Sequence, residues 1–138
     1  MPIEKAAPEM DRIVSADQPI EELGRGYGGD QGPAEGPLWW KEDGYLLFSD
    51  ITNNRRMKWA PNEGCTLFLE PTNQANGLTR DRQGCLIACE HAARRVTRQD
   101  HDGSITVVAN KYHDRPLNRP NDVVVKTDGS IYFTDPSI

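Results

Sequence analysis

Three stretches of this chain carry one pattern, and a chain that repeats itself at this interval has few folds open to it. Glu35-Gly36-Pro37-Leu38 leads to Tyr45–Asp50, Asn76-Gly77-Leu78-Thr79 to Cys85–Glu90, and Asn121-Asp122-Val123-Val124 to Ser130–Asp135. In each, a polar side chain opens a short apolar strand, a glycine turn follows at Gly44, Gly84 or Gly129, and the next strand ends in a carboxylate. The starts lie 41 and 45 residues apart, inside the roughly 40–50-residue period of propeller blades. Equivalent positions of a radial repeat lie at equal distance from its axis. The pattern therefore predicts that Glu35, Asn76 and Asn121 converge on one central site.

Between these landmarks the chain reads as short strands and turns, with no long amphipathic helix. Unit one predicts strands at Gly36–Trp40, Tyr45–Asp50, Arg56–Ala60 and Thr66–Glu70. Unit two predicts Gly77–Arg80, Cys85–Glu90, Arg95–Arg98 and Ile105–Ala109, and unit three supplies Asp122–Lys126 and Ile131–Thr134. Four short strands per unit is the make-up of a propeller blade. A β-sandwich also has short strands with frequent turns, but would not repeat a polar opening residue at a fixed four-strand interval. The fold class is thus all-β, a β-propeller of which the chain covers about two and a half blades. Residues 1–30 form a lead-in, and residues 31–138 form blades one, two and the first half of three. A closed ring takes roughly 160–360 residues, so the 138 residues read as the first part of a longer protein.

In the lead-in, Ser15–Gln18 could start one helical turn through a capping box, limited by Pro19. Gly24, Gly26 and Gly29 have the spacing of a dinucleotide-binding loop. No apolar strand precedes them, and Pro33 and Pro37 stand where a helix should begin, so that reading fails. A flexible loop is expected instead.

The formal charge is −5, with basic residues scattered among acidic ones, which excludes a nucleic-acid footprint. In the basic run Arg94–Arg98, alternation puts Arg95 and Thr97 on one face and Arg94, Val96 and Arg98 on the other. Phosphate binding there is disfavoured. No stretch approaches the ~20 apolar residues of a membrane-spanning helix, and the N-terminus lacks the apolar core of a secretory signal. Cys85 and Cys89 would stand about 13 Å apart along a strand, too far for a disulfide. Reduced thiols and a cytoplasmic location follow as expectations.

A carboxylate and two carboxamides, from Glu35, Asn76 and Asn121, are hard oxygen donors suited to Ca²⁺ or Mg²⁺. No Cys/His set is spaced for structural zinc. A single asparagine could merely begin a strand by capping a turn, but three at matched repeat positions favour a central site. His101 and His113 fall in polar turns and should be solvated, whereas His91 ends a strand facing the pocket rim. No Gly-x-Ser-x-Gly elbow supports a serine triad. Trp39, Trp40 and Trp59 are expected between blades, and Asp50, Glu90 and Asp135 are expected to hydrogen-bond backbone turns.

Taken together, Glu35-Gly36-Pro37-Leu38-Trp39, Asn76-Gly77-Leu78-Thr79, Ala88–His91 with Arg94–Arg98, Arg119–Lys126 and Asp128–Pro136 resemble the gluconolactonase/regucalcin (senescence-marker) family of six-bladed, calcium-dependent propellers. The likeness runs from about residue 20 to the last. It implies a hydrolase that opens a sugar lactone such as gluconolactone, with Glu35 and Asn121 as ligands of the divalent metal. That metal would be Ca²⁺, with Mg²⁺, Mn²⁺ or Zn²⁺ as alternatives. The resemblance also implies Arg119, Asn76, Glu90 and His91 as substrate contacts, and Asp122 as the residue that orients the Asn121 amide. Further ligands in blades four and five, and with them the acid/base, would lie beyond Ile138, leaving the isolated chain inactive. The partner implied is a small lactone, with no nucleic acid and no membrane, and the oligomeric state is left open. A non-catalytic propeller that binds calcium or another ligand is the alternative, since this fold hosts many functions.

Overall fold

The computed structural model describes residues 3–30 and 32–137. Four antiparallel strands, β1 (Ala34–Trp40), β2 (Tyr45–Asp50), β3 (Arg55–Ala60) and β4 (Gly64–Leu69), pair in sequence order into one blade. A second blade repeats the meander with β5 (Ala75–Arg80), β6 (Leu86–Glu90), β7 (Arg95–Gln99) and β8 (Ile105–Ala109). A short hairpin follows, β9 (Lys111–Tyr112) with β10 (Arg115–Pro116), and then the start of a third blade, β11 (Val123–Val125) with β12 (Ile131–Phe133). The chain is therefore a partial β-propeller, as the repeat predicts.

The blades stack through two apolar seams. Leu47 of blade one meets Leu78, Leu86 and Ala88 of blade two, with Leu38, Trp40 and Tyr45 packed against them. Ile87, Cys89 and Val96 of blade two meet Val123 of blade three, bordered by Val125, Ile131 and Phe133. Along β6 the side chains thus point alternately to the two neighbours, as the two-residue period of a strand requires. All five β6 residues are buried. That explains why Leu86–Glu90 does not alternate apolar with polar.

The inner strands β1 and β5 share a detail that the sequence marked only by glycine. In β1, Glu35 pairs with Ser49 but Leu38 pairs with Leu47, so one extra residue is accommodated on β1. In β5, Ala75 pairs with Glu90 and Leu78 with Ala88, leaving the same single surplus at Asn76-Gly77. Such bulges bend a strand and re-aim a side chain. In blade three the Asn121 N–H donates to the Thr134 carbonyl (2.8 Å), and the Thr134 N–H donates to that of Asp122 (3.0 Å). Glu35 and Asn76 lie one residue inside their strands, and Asn121 two residues before β11.

Several expectations are corrected. Ser15–Gln18 closes one turn through a Gln18 N–H to Ser15 carbonyl bond of 3.0 Å, and the lead-in's 3-10 helix is Pro8–Arg12 upstream. The glycine run is not a free loop. The Gly28 N–H donates to the buried Asp50 carboxylate (2.9 Å), Gly29 bridges to Gly32, and Tyr27 packs edge-on against Phe48. As the alternation of Arg94–Arg98 predicts, Thr97 and Val96 point to opposite sides of β7, and with both buried the strand has no exposed basic face. Arg95 pairs with Glu90, and Arg98 with Asp81 and Asp100, which leaves their charges compensated. Trp40 sits in the first seam, but Trp39 is 50 % exposed. Asp135 accepts from the Asn118 backbone N–H as expected. Glu90 instead accepts from three side chains: Asn73 Nδ2 (2.8 Å), Arg95 Nε (2.7 Å) and Thr97 Oγ1 (2.8 Å).

Candidate functional site

Successive inner strands touch backbone to backbone. The Gly77 N–H donates to the Asn121 carbonyl at 2.8 Å, tying blade two to blade three. Ser49 Oγ donates to the Asn76 carbonyl at 2.6 Å, tying blade one to blade two. Gly36 adopts φ +57°, and a Cβ there would stand 2.2 Å from the Asn76 carbonyl oxygen. Only glycine meets both demands. At Gly77 a Cβ would stand 2.6 Å from the Asn121 carbonyl oxygen. Glu35, Asn76 and Asn121 thus stand at or beside the backbone contacts that join the three blades.

Glu35 and Asn121 are half-buried and Asn76 is buried. Among the described residues, the Glu35 carboxylate and the Asn121 carboxamide have no hydrogen-bond or ion-pair partner. Asn76 does have one. Its carboxamide lies 3.4 Å from Nε2 of His91, whose Nδ1 lies 3.3 Å from Nη2 of Arg119. This chain fixes the proton. A guanidinium only donates, so His91 Nδ1 must accept from Arg119 and the hydrogen sits on Nε2. The atom placed against Nε2 is Asn76 Nδ2; exchanging the amide O and N, which are interchangeable in placement, gives Nε2–H its acceptor. The Asn76 NH₂ group is left to donate elsewhere. Burial and the neighbouring Arg119 charge both hold His91 below its ordinary pKa, which favours this neutral form.

His91, Ala92, Arg94, Asn118 and Arg119 line an open recess of about 330 Å³. Arg94 had no place among the sequence-derived candidates. Its signal was the left-handed backbone (φ 52°), which a sequence does not display, and its Nε is held by the Leu117 carbonyl. Glu90 is not among the residues lining this recess; it is buried, with both oxygens engaged. Asp122 is exposed, and its carboxylate accepts from the Val123 N–H at 2.9 Å instead of from the Asn121 amide. Its work is to start β11. His101 is exposed, with Nε2 3.0 Å from the Gln83 carbonyl. His113 is also exposed and lies against Tyr112. No group of three His, Cys, Asp or Glu able to hold a metal forms among the described residues. A metal here would need carboxamide oxygens beside the Glu35 carboxylate, which is hard-cation chemistry.

Residues 33–138 match the family model for the SMP-30/Gluconolactonase/LRE-like region. The chain belongs to this family. It is 31% identical over 148 aligned positions to a gluconolactonase of Zymomonas mobilis, covering 97% of this chain and 40% of that protein. An X-ray structure assigned as a gluconolactonase superposes with a TM-score of 0.82 at 32% identity, covering 96% of this chain and 44% of the other. A gluconolactonase structure from Xanthomonas campestris gives 0.69 at 39% identity, over 75% of this chain and 35% of that one. Virginiamycin B lyase from Staphylococcus aureus, at 20% identity and a TM-score of 0.58 over 74% of this chain and 34% of its own, shares the fold. This SMP-30/gluconolactonase-family chain thus spans less than half the length of the relatives it matches. Among the described residues no helix is long and apolar enough to cross a membrane.

Proposed function

We propose that the protein opens a sugar lactone of the gluconolactone type, with Glu35 and Asn121 as ligands of a divalent cation, Ca²⁺ in the first instance. One observation carries the reading. Backbone contacts join the segments that carry Glu35, Asn76 and Asn121, and the side chains of Glu35 and Asn121 have no protein partner among the described residues. Family membership and the relatives named gluconolactonase support it. A bound cation would polarise the lactone carbonyl and favour the oxyanion that forms on it.

The chain's own residues then divide the remaining work. Arg119 and the NH₂ group of Asn76 donate to substrate oxygens, and neutral His91 holds both in place. Glu90, its oxygens engaged by Asn73, Arg95 and Thr97, takes no part in binding. The base for the attacking water and the remaining ligands are proposed to come from outside these 138 residues, so alone they should turn over little lactone. A cytoplasmic location belongs to the same proposal.

The test is calcium titration calorimetry together with gluconolactone opening, followed by acid release, for wild type and Glu35→Gln. Loss of the one carboxylate should weaken calcium binding at least about tenfold. Unchanged affinity would remove Glu35 from the site and the proposal with it. Calcium binding that persists without turnover, in a protein containing all the blades of its relatives, would favour the non-catalytic calcium-binding alternative.

A further inference from the structure

Blade one buries a charge where blade two buries a methyl group. The two blades match residue for residue at the β2–β3 and β6–β7 turns. Asp50 pairs with Arg55 and Ser49 with Arg56 in one, and Glu90 pairs with Arg95 and Cys89 with Val96 in the other. Arg55 and Arg95 each donate Nε to their own strand-end carboxylate, at 2.8 and 2.7 Å. Val96, fully buried, fills the seam between blades two and three. Arg56, its counterpart, is 4 % exposed, and its Nε–H has no partner.

The guanidinium looks into a cleft of about 40 Å³ between blades one and two, bordered by Thr72, Ala88, Glu90, Thr97 and Gln99 among others. Glu90 is near enough to feel Arg56, yet its oxygens are spent on Asn73, Arg95 and Thr97. Glu90 already balances Arg95, and Asp50 balances Arg55, which leaves Arg56 without a carboxylate of its own between the blades. The Gln99 side chain, on the cleft wall, makes no hydrogen bond to a described residue. Desolvation drives the Arg56 pKa down to about 10, still high enough to keep it charged at neutral pH. A water molecule in the cleft would accept from Nε–H but would leave the charge unanswered, and buried charges are as a rule paired.

We propose that this cleft is a site for one small monovalent anion, chloride in solution, held by the Arg56 guanidinium and the Gln99 carboxamide at the seam of blades one and two. The space exceeds what a single water needs. The site lies wholly within blades one and two and does not depend on the lactone reading.

The experiment is thermal unfolding of the chain in sodium chloride against sodium isethionate at equal ionic strength, the organic anion being too large for the cleft. Raising chloride from about 10 to 500 mM should raise the wild-type Tm by about 5 °C. Arg56→Val, which installs the residue blade two uses, should lower that response to less than about 1 °C. A wild-type Tm indifferent to the anion, or a response kept by Arg56→Val, overturns the proposal. Should the variant not fold, crystals of the wild type soaked in bromide decide the matter. An anomalous peak beside Arg56 supports the site, and a peak only elsewhere, or water in the cleft, refutes it.

Discussion

Gly77→Ala tests whether contact between inner strands sets the geometry of the site. The glycine is not needed for its backbone angle, since it lies outside the left-handed region; it is needed for space. An added methyl would stand 2.6 Å from the Asn121 carbonyl oxygen, 2.7 Å from Asp122 Cα and 2.9 Å from Asp122 Oδ1. Two of those atoms are backbone and cannot rotate away. Relief requires blades two and three to part, which stretches the 2.8 Å bond from Gly77 N–H to Asn121. Overpacking of this kind costs about 1–3 kcal/mol, and a lost backbone hydrogen bond about 0.5–1.5 kcal/mol. The stiffer unfolded chain returns about 0.4–1 kcal/mol. The net loss should be about 2–3 kcal/mol, or about 10 °C in Tm for a chain of this size. Urea unfolding gives the first number and calcium calorimetry reads the displacement of Asn121, expected as a severalfold weaker affinity. A variant as stable as wild type, with unchanged calcium binding, would refute the idea that this contact positions the site.

Two further outcomes follow from ionisation. Because folding holds the His91 pKa below its ordinary 6.5, the unfolded chain binds the extra proton first. His91 therefore contributes stability above about pH 6.5 that is lost as the pH falls toward its folded pKa. Urea midpoints measured from pH 7.5 down to 5.5 should show this fall, and His91→Gln should flatten it. Cys89 is fully buried and its thiol is pushed up to about 12, whereas Cys65 is partly accessible. Iodoacetamide at pH 8 should label Cys65 in the native chain and reach Cys89 only in denaturant, with mass spectrometry of peptides as the readout; rapid native labelling of Cys89 would contradict the packing of the second seam.

The blades were legible because each strand pair carries its own local signals: a glycine turn, an apolar run and a terminal carboxylate. The hairpin at Lys111–Pro116 was not. Its residues are polar, and its turn places His113 in a left-handed conformation (φ 51°) where a glycine would have announced it. The bulges at Glu35 and Asn76 were visible only as Gly36 and Gly77, whose meaning depends on the neighbouring blade. The Asn76–His91–Arg119 chain joins residues 15 and 28 positions apart, with no periodicity to link them. Glu90 is a substrate contact only by the family resemblance, and its place at a strand end brings Asn73, Arg95 and Thr97 over it. Arg56 could have been found by laying unit one on unit two, where it falls opposite Val96.

The strand Leu86–Glu90, covered on both sides, makes the middle wedge a common dependent of two partnerships. Loosening it at Ile87 should disturb Leu86 and Ala88 across the sheet as well, so damage on one flank is felt on the other. Cooperativity of this sort would make the opening wedges melt as one body, and a defect far from the axis could still loosen the grip on whatever is bound there.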